Sequence, residues 1–467
     1  MRQFLDFLRN QKFISRPYHF SLAFLAAVFY GFPSRKMIVI GVTGTKGKTT
    51  TCNLIADILQ GAGFKTGLAS TVNFRIGDKE WVNETKQTML GRFALQKFLR
   101  QMADSGCKYA VIETSSEGII QYRQRFIDYN VAVFTNLSPE HIERHGGFEK
   151  YRAAKVKLFE QVAKRRNGVG IYPHTITKII NFFRPRRKSS FGVGVYNLDD
   201  KNVGYFLKPA IKAKYGFSRH CEERSDAAIS GLLRSTRNDC IKISNVKLSQ
   251  SGASFELDGG KYETRLLGEF NVYNAAAALV TAFSQNVPVE AARKALLSAS
   301  APPGRMEAVP TKKPFKVFVD YSYEPKGLEE ALKALKVFES RQIIVLIGSA
   351  GGGRDRWRRP VMGEIADRYA DIILVTTDDP YDENPDAIID EIMPGVLKNK
   401  KRVLGKNVFR ITDRRLAIEK AINLAQKGDV VLLAGKGGEA WMNIKGGKKI
   451  PWNERAIAEE ILRKRGK

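Results

Sequence analysis

Residues 41–50 read Gly41-Val42-Thr43-Gly44-Thr45-Lys46-Gly47-Lys48-Thr49-Thr50 and follow the apolar run Met37-Ile38-Val39-Ile40. A short strand, a glycine-rich turn and a lysine that opens a helical pattern are typical of proteins that hold a nucleoside triphosphate. Backbone N–H groups of such a loop contact phosphate oxygens, while Lys48 reaches the outer phosphates and the Thr49 hydroxyl binds magnesium. The alternative, a glycine-rich turn without a ligand, is disfavoured by the strand–loop–helix context. The residues expected around the phosphates are Gly44, Thr45, Lys46, Gly47, Lys48, Thr49 and Thr50.

The composition sets the class of protein and its partners. With 467 residues, the chain is long enough for two or three domains. The net charge of +29 indicates a basic surface, anionic substrates or a membrane surface. No zinc-finger spacing or recognition-helix pattern is present, so a nucleic-acid partner is not expected. Four cysteines without C-x-x-C spacing predict free thiols in a reducing compartment.

The N-terminal segment is apolar between positions 18 and 32 and has basic flanks, including Arg16 and Arg35. The run is shorter than the ~20 residues that cross a bilayer. Two interpretations remain open: a helix packed on the catalytic domain, or a segment lying in an anionic membrane interface.

Strand-like runs alternate with helical stretches along most of the chain, which predicts an α/β fold with parallel sheets. Ligand sites in such sheets lie at the carboxyl ends of strands, where Glu113 and Asn136 are expected. The predicted domains are an N-terminal segment 1–36, a central ATP-binding domain 37–308 and a Rossmann-like C-terminal domain 309–467. C-terminal strands are expected at 316–320, 343–348, 372–376 and 430–434. The polar stretch at about 217–240 is interpreted as an insertion in a surface hairpin.

The first glycine of the phosphate loop is Gly41, which gives the pattern Gly-x-x-Gly-x-x-Gly-Lys-Thr. This longer loop resembles that of the Mur ligase and folylpolyglutamate synthetase superfamily, whose members use ATP to join an amino acid to a carboxylate. Three further motifs, in the family's order, strengthen the resemblance: residues 112–116 (Ile-Glu-Thr-Ser-Ser), 135–146 (Thr-Asn through His-Gly) and 151–159 (Tyr-x-x-x-Lys-x-x-Leu-Phe). Together with motifs near the C-terminus, they extend the resemblance over roughly residues 37–460.

The resemblance implies a catalytic set of Lys48, Lys155, His141 and Glu113, with magnesium held by Thr49, Glu113, His141 and a carbamylated Lys155. Carboxylate and hydroxyl oxygens suit a hard cation that bridges phosphates. It also implies that Asn274 contacts the adenine edge, Arg305 a phosphate and Asp320 the ribose. The cofactors implied are therefore ATP and Mg²⁺.

Within the family, residues 348–363, 378–381 and 434–439 most resemble the ligases that add the third residue of the muramoyl stem peptide. The implied amino-acid site consists of Asp378, Asp379, Tyr381, Gly435 and Glu439. The family's Asp-Asn-Pro-Arg motif, whose arginine pairs with the distal carboxylate of meso-diaminopimelate, reads Asp-Asp-Pro-Tyr here. Arg354, Arg356, Arg358 and Arg359 are alternative sources of a guanidinium. The family's small uridine-nucleotide domain is not expected before residue 37, and the apolar N-terminal segment is expected to replace it.

The implied reaction is an ATP-dependent ligation. ATP phosphorylates a muramoyl-peptide carboxylate, and an amino acid attacks the acyl phosphate to form an amide during peptidoglycan precursor synthesis. Two alternatives remain: another amide ligase of the folylpolyglutamate or poly-amino-acid type, or a membrane-associated P-loop ATPase that is not a ligase. A monomer is expected, located in the cytoplasm with possible attachment to an anionic membrane surface.

Overall fold

The structure is a computed structural model that describes residues 12–139, 145–164, 192–221, 240–399 and 401–465. The chain divides into two compact units. The first comprises Met1–Asn245, Phe255–Glu263 and Tyr273–Ala299, and the second comprises Val246–Ser254, Thr264–Val272 and Ser300–Lys467.

Most residues of a large sheet belong to the first unit. Its strands are β1 (Ile38–Thr43), β2 (Thr66–Ala69), β3 (Asn73–Ile76), β4 (Lys79–Val82), β5 (Tyr109–Glu113), β6 (Tyr129–Phe134), β7 (Val193–Asn197), β8 (Ala213–Ser218), β9 (Cys240–Ser249), β10 (Gly252–Leu257) and β11 (Gly260–Thr264). Among the described residues the order is β11-β10-β9-β8-β7-β6-β1-β5-β2-β3-β4. The strands from β9 through β2 pair in parallel, and β3 and β4 add an antiparallel edge.

The helices in this part of the chain are α1 (Lys12–Phe29), α2 (Lys48–Gly61), α3 (Arg92–Asp104), α4 (Ser116–Ile120), α5 (Phe148–Ala163), α6 (Val203–Leu207), α7 (Glu269–Phe283) and α8 (Val289–Ser298). One continuous core packs helices α3, α5 and α6 against the sheet and buries aromatic rings such as Phe134, Phe159 and Phe206. Strand β1 lies between β5 and β6, which explains why its sequence is apolar at nearly every position.

The second unit contains a six-stranded sheet built from β12 (Glu307–Val309), β13 (Lys316–Asp320), β14 (Ile343–Ile347), β15 (Ile372–Val375), β16 (Val408–Arg410) and β17 (Val430–Ala434). The described strands follow the order β12-β13-β17-β14-β15-β16, and every pair except β12–β13 is parallel. A small antiparallel pair follows, formed by β18 (Trp441–Asn443) and β19 (Lys449–Pro451).

Helices cover both faces of this sheet. They are α9 (Pro325–Leu335), α10 (Arg358–Tyr369), α11 (Pro385–Val396), α12 (Arg414–Leu424) and α13 (Glu454–Lys464). Alternate strand residues enter different cores: Phe318 belongs to one cluster, and its neighbours Val317 and Val319 belong to the other. Each face therefore buries its own apolar layer, and the predicted α/β architecture with a doubly wound C-terminal sheet is confirmed.

Helix α1 packs one face through Ala23 and Ala27 against Phe126, in a cluster completed by Phe32. This contact is the arrangement expected of a packed helix. The opposite face exposes Leu25 (55%) and Phe29 (75%). In the described part of the chain, no helix is long and apolar enough to cross a membrane.

Two sequence expectations are wrong. The insertion does not lie in a hairpin, because β8 and β9 on either side of it pair in parallel, with Gly216 opposite Cys240. Nor are all four cysteines free thiols: Cys221 and Cys240 form a disulfide, while Cys52 and Cys107 remain free and buried. Cys221 and Cys240 are 19 residues apart in the sequence, a spacing that does not indicate a disulfide. The parallel pairing of β8 and β9 brings the two cysteines close enough to form one.

Candidate active site

The glycine-rich loop occupies the position predicted for it, between β1 and the first turn of α2. Strand β1 lies beside β5, with Val42 opposite Glu113, and beside β6, with Thr43 opposite Phe134. Because these strands are parallel, their carboxyl ends meet at one edge of the sheet. The loop, Glu113 and the residues after β6 therefore share that edge.

Two glycines of the loop sit where no side chain fits. A Cβ atom at Gly44 would lie 2.0 Å from Thr135 Oγ1, and one at Gly47 would lie 2.2 Å from Asn274 Oδ1. Gly47 also has a φ of 79°, in the left-handed region. Asn274, predicted at the adenine edge, thus packs on the loop, where it also accepts a 3.3 Å hydrogen bond from Thr51 Oγ1.

The segment after β6 holds the loop in a fixed shape. The side-chain oxygen of Asn136 accepts from the Lys46 backbone N–H (2.9 Å), and its amide nitrogen donates to the Lys46 carbonyl (3.0 Å). The Thr135 hydroxyl donates to the same carbonyl at 2.7 Å. Lys46 is therefore held in the loop through its backbone atoms.

A buried hydroxyl–carboxylate pair lies beside the loop. The Thr49 hydroxyl donates to Glu113 Oε2 at 2.9 Å, and the Thr71 backbone N–H donates to the same oxygen at 2.8 Å. Glu113 is 2% exposed and Thr49 is 4% exposed. Hard oxygen donors of this kind fit Mg²⁺, which keeps most of its ligands as waters and substrate phosphates. The described residues contain no cluster of three or more His, Cys, Asp or Glu side chains able to hold a metal.

Two lysines from different helices donate to backbone carbonyls of the loop. Lys48 Nζ donates to the Thr45 carbonyl at 2.7 Å, and Lys155 Nζ donates to the Gly44 carbonyl at 2.7 Å. Lys155 comes from α5, is 2% exposed, and lies 4.6 Å from the Tyr151 ring. The Tyr151 hydroxyl lies 3.1 Å from Thr45 Oγ1, so α5 supports the loop through two side chains. Thr50 is buried, and His141 lies outside the described residues.

Sequence reasoning did not single out Thr71 or the hydroxyl of Tyr151. Thr71 acts through its backbone N–H, which leaves no side-chain signal. Tyr151 was visible only as one position of a helix motif.

The remaining predicted residues lie in the second unit. Asp320 Oδ2 accepts from the Met306 backbone N–H at 2.7 Å, and the Arg305 guanidinium stacks 4.3 Å from the centre of the Tyr321 ring. Glu324 caps α9 by accepting from the Gly327 N–H at 2.6 Å, which explains an acid at that position.

The residues predicted for the amino-acid site meet at the carboxyl edge of the second sheet, and most of their polar atoms have partners. Asp379 Oδ1 accepts from Lys436 Nζ (2.7 Å) and from the Asn443 backbone N–H (2.9 Å), and Oδ2 accepts from Asn443 Nδ2 (2.7 Å). Glu439 accepts from Lys436 and, at 3.0 Å, from the Tyr321 hydroxyl. Burial raises the pKa of Asp378, against the opposing effect of Lys436 and Arg414. Gly435, with φ of 118°, approaches Asp378 so closely that a Cβ would lie 2.7 Å from its Oδ2.

Tyr381 adopts a left-handed backbone conformation, with φ of 53°. Burial lowers the pKa of the nearby Arg354 guanidinium, but Tyr381, Tyr321 and Tyr323 outweigh that effect and raise it. Of the alternative arginines, Arg356 and Arg359 pair with Glu391, whereas Arg358 is buried 5.8 Å from the Tyr323 ring. Arg354 and Arg358 are therefore the guanidinium groups beside the tyrosines.

Fold and site together define a P-loop enzyme with a second, doubly wound unit. Residues 42–184 match the Mur ligase middle domain, and residues 304–437 match the Mur ligase glutamate ligase domain. The chain is 38% identical over 448 residues to a UDP-N-acetylmuramyl-tripeptide synthetase of Roseiflexus sp., covering 96% of this chain and 82% of that protein. It is 36% identical over 454 residues to a UDP-N-acetylmuramoyl-L-alanyl-D-glutamate–2,6-diaminopimelate ligase of Geobacillus kaustophilus, covering 96% and 83%.

Solved structures agree. A UDP-N-acetylmuramoyl-L-alanyl-D-glutamate–2,6-diaminopimelate ligase matches with a TM-score of 0.58 and 29% identity over 92% of this chain and 79% of that one. A Mycobacterium tuberculosis folylpolyglutamate synthase has the same fold, with a TM-score of 0.65 at 16% identity over 89% and 91% of the two chains. The chain belongs to the Mur ligase family. It is an ATP-dependent ligase that forms amide bonds, as the resemblance implied.

Proposed function

We propose that this enzyme uses ATP and Mg²⁺ to add an amino acid to the carboxylate of a muramoyl peptide through an acyl phosphate. The observation that carries the proposal is the buried Thr49–Glu113 pair at the mouth of the glycine-rich loop, 2.9 Å apart. This pair supplies the oxygen ligands that a magnesium nucleotide requires, at the end of the helix that receives the phosphates. The relatives reported above are a synthetase and a ligase of UDP-linked muramoyl peptides, which supports this class of acceptor.

The residues of the first unit have distinct roles in this proposal. Backbone N–H groups of the loop and Lys48 bind and orient the phosphates. Thr49 and Glu113, with His141 and a carbamylated Lys155, would hold magnesium, which neutralises phosphate charge during transfer. Support for Lys155 in this role is its location: the side chain is buried and its Nζ lies 2.7 Å from the Gly44 carbonyl of the loop.

The residues of the second unit are proposed to bind the other substrates. Arg305 would contact a phosphate and Asp320 the ribose, while Asn274 of the first unit would approach the adenine. The amino acid would bind among Asp378, Asp379, Tyr381, Gly435 and Glu439. Arg354, whose guanidinium lies near Tyr381, is the one we propose for a substrate carboxylate.

The test is conditional ADP release. The enzyme is incubated with ATP and Mg²⁺ together with a UDP-linked muramoyl dipeptide, with an amino acid, or with both. The amino acids are L-lysine, L-ornithine, L-alanine and meso-diaminopimelate. Release that requires both acceptor and amino acid supports the proposal. Release with a folate acceptor instead indicates a folylpolyglutamate-type ligase, and release with neither indicates an ATPase that is not a ligase.

We also propose that helix α1 attaches the enzyme to an anionic membrane surface, because its exposed face carries Leu25, Val28 and Phe29. The exposed Lys36, shortly after that helix, suits anionic lipid headgroups. Flotation with vesicles of phosphatidylglycerol and phosphatidylcholine tests the idea, with Leu25→Ser/Phe29→Ser as the loss-of-binding variant. Absence of flotation by the unmodified enzyme refutes it.

A further inference from the structure

Lys436 is completely buried, with 0% exposure, directly after strand β17. Its ammonium nitrogen donates to Asp379 Oδ1 at 2.7 Å, to Glu439 Oε2 at 2.6 Å and to the Trp441 carbonyl at 2.9 Å. An ammonium group has three protons to donate, so these contacts use its full capacity. Two of the three partners belong to the proposed amino-acid site.

The backbone around Lys436 is shaped to place it there. Gly435 and Gly437 flank it with φ of 118° and 50°, conformations that residues with a side chain rarely adopt. A Cβ at Gly435 would lie 2.7 Å from Asp378 Oδ2, and one at Gly437 would lie 2.7 Å from the Tyr321 Cβ. Glycine is thus required on both sides of this lysine for the turn to close against its neighbours.

Through these contacts, Lys436 connects loops that follow different strands. Asp379 lies in the loop after β15, and Glu439 lies in the loop after β17. Glu439 in turn accepts from the hydroxyl of Tyr321, in the loop after β13. Asp379 also accepts twice from Asn443 of β18. All three loops leave the carboxyl edge of a parallel sheet, where ligand sites of this fold class are built.

We propose that Lys436 is a positioning residue for the amino-acid substrate. It fixes Asp379 and Glu439 as oriented carboxylates and holds the three loops in one arrangement. The inference rests on the proposed function, because it takes these loops to be the amino-acid site. Lys436 itself touches no substrate in this proposal and acts through its partners.

The charges around the cluster explain why the ammonium is needed. Burial lowers the pKa of Lys436, but Glu439, Asp378 and Asp379 outweigh that effect and raise it, so the group stays charged. Without that cation, buried carboxylates take up protons. Among the described residues, the other titratable or charged groups near the cluster include Asp378, Arg414, Glu454, Tyr321, Tyr323, Arg305 and Arg354.

The test compares Lys436→Met with Arg402→Met in the full-length enzyme. Arg402 is a matched control, because its side chain is also buried in the second unit, bonded to Asp367 and to backbone carbonyls away from the cluster. The measurements are Tm, KM for ATP, and KM for the amino acid that the unmodified enzyme uses best among the four named above, each at pH 7 and pH 9.

For Lys436→Met we expect KM for the amino acid to rise about tenfold or more at pH 7, the size of losing one charge-assisted interaction. KM for ATP should stay within about twofold. Protonated carboxylates ionise again as the pH rises, so the ratio of KM for the amino acid in Lys436→Met to that in the unmodified enzyme should fall between pH 7 and pH 9. Taking the ratio removes the effect of titrating the amino acid's own amine, which is common to both enzymes. Arg402→Met should lower Tm without changing either KM.

The outcomes separate the inference from the function on which it rests. If the unmodified enzyme shows no ADP release that depends on acceptor and amino acid, the proposed function fails and this inference with it. If the unmodified enzyme is active and Lys436→Met merely loses Tm, as Arg402→Met does, Lys436 is structural and the inference alone is overturned. If Lys436→Met does not fold, the double variant Lys436→Met/Asp379→Asn takes its place, because it removes one positive and one negative charge from the cluster. Its reference is the single variant Asp379→Asn. An equal KM for the amino acid in those two variants overturns the inference, and a higher KM in the double variant supports it.

Discussion

Replacing Glu113 with glutamine tests the magnesium site most directly. Glutamine keeps the shape of the side chain and an oxygen that accepts from the Thr71 N–H, but it removes the charge beside Thr49. A hydrogen bond or ligand contact to a charged group contributes about 1.5–3 kcal/mol, and about 1.4 kcal/mol corresponds to a tenfold change in affinity. We therefore expect the Mg²⁺ concentration for half-maximal ligation to rise about 10- to 100-fold in Glu113→Gln. Tm should not fall, because a neutral amide costs less to bury than the carboxylate, which is 2% exposed.

The assay is ADP release at saturating ATP, acceptor and amino acid over a series of Mg²⁺ concentrations. Glu117→Gln is the matched control, because it is the same substitution four residues further along the chain. Glu117 lies in the first turn of α4, where it accepts a hydrogen bond from Gln121 at 3.3 Å. Its Mg²⁺ dependence should be that of the unmodified enzyme. An unchanged Mg²⁺ requirement in Glu113→Gln would refute the assignment of this carboxylate as a ligand.

Three more variants or substrates probe the same geometry. Lys48→Ala should abolish ATP turnover while the fold survives, because the Lys48 ammonium donates to the Thr45 carbonyl of its own loop. Turnover and Tm are measured together, and normal turnover contradicts the phosphate role. Lys155→Ala should retain ATP binding but lose most ligation, with partial recovery in added acetate or formate, which mimic a carbamate; full activity without additives would exclude the carbamate. With Tyr381 in place of an arginine, L-lysine, L-ornithine or a neutral amino acid should show a higher kcat/KM than meso-diaminopimelate, and the reverse order would indicate that Arg354 or Arg358 binds the distal carboxylate.

Much of the architecture could be predicted from periodicity and spacing. The four C-terminal strands expected from apolar runs are present, within one residue at their ends. The phosphate loop could be placed because glycine, lysine and threonine at this spacing, between a strand and a helix, are typical of phosphate binding. Helix α2 begins at Lys48, the lysine expected to open the helical pattern, so its first turn is part of the phosphate loop itself.

What the sequence did not predict are contacts between residues far apart in the chain. The pairing of β8 with β9 depends on where an insertion returns to the sheet, and composition carries no information about that direction. The Cys221–Cys240 disulfide depends on that return. Likewise, Asp379 and Lys436 are 57 positions apart, and only the parallel order of β13, β17, β14 and β15 brings their loops together.

The partners of Asp379 change the argument about the amino acid. On sequence alone, an aspartate where the family has asparagine suggested attraction for a cationic side chain. In the structure, Asp379 Oδ1 accepts from Lys436 and from the Asn443 N–H, and Oδ2 accepts from Asn443 Nδ2. A carboxylate balanced by a buried ammonium exerts little net field on a ligand. The case against meso-diaminopimelate therefore rests on Tyr381, and Asp379 gives no separate reason to expect lysine over a neutral amino acid.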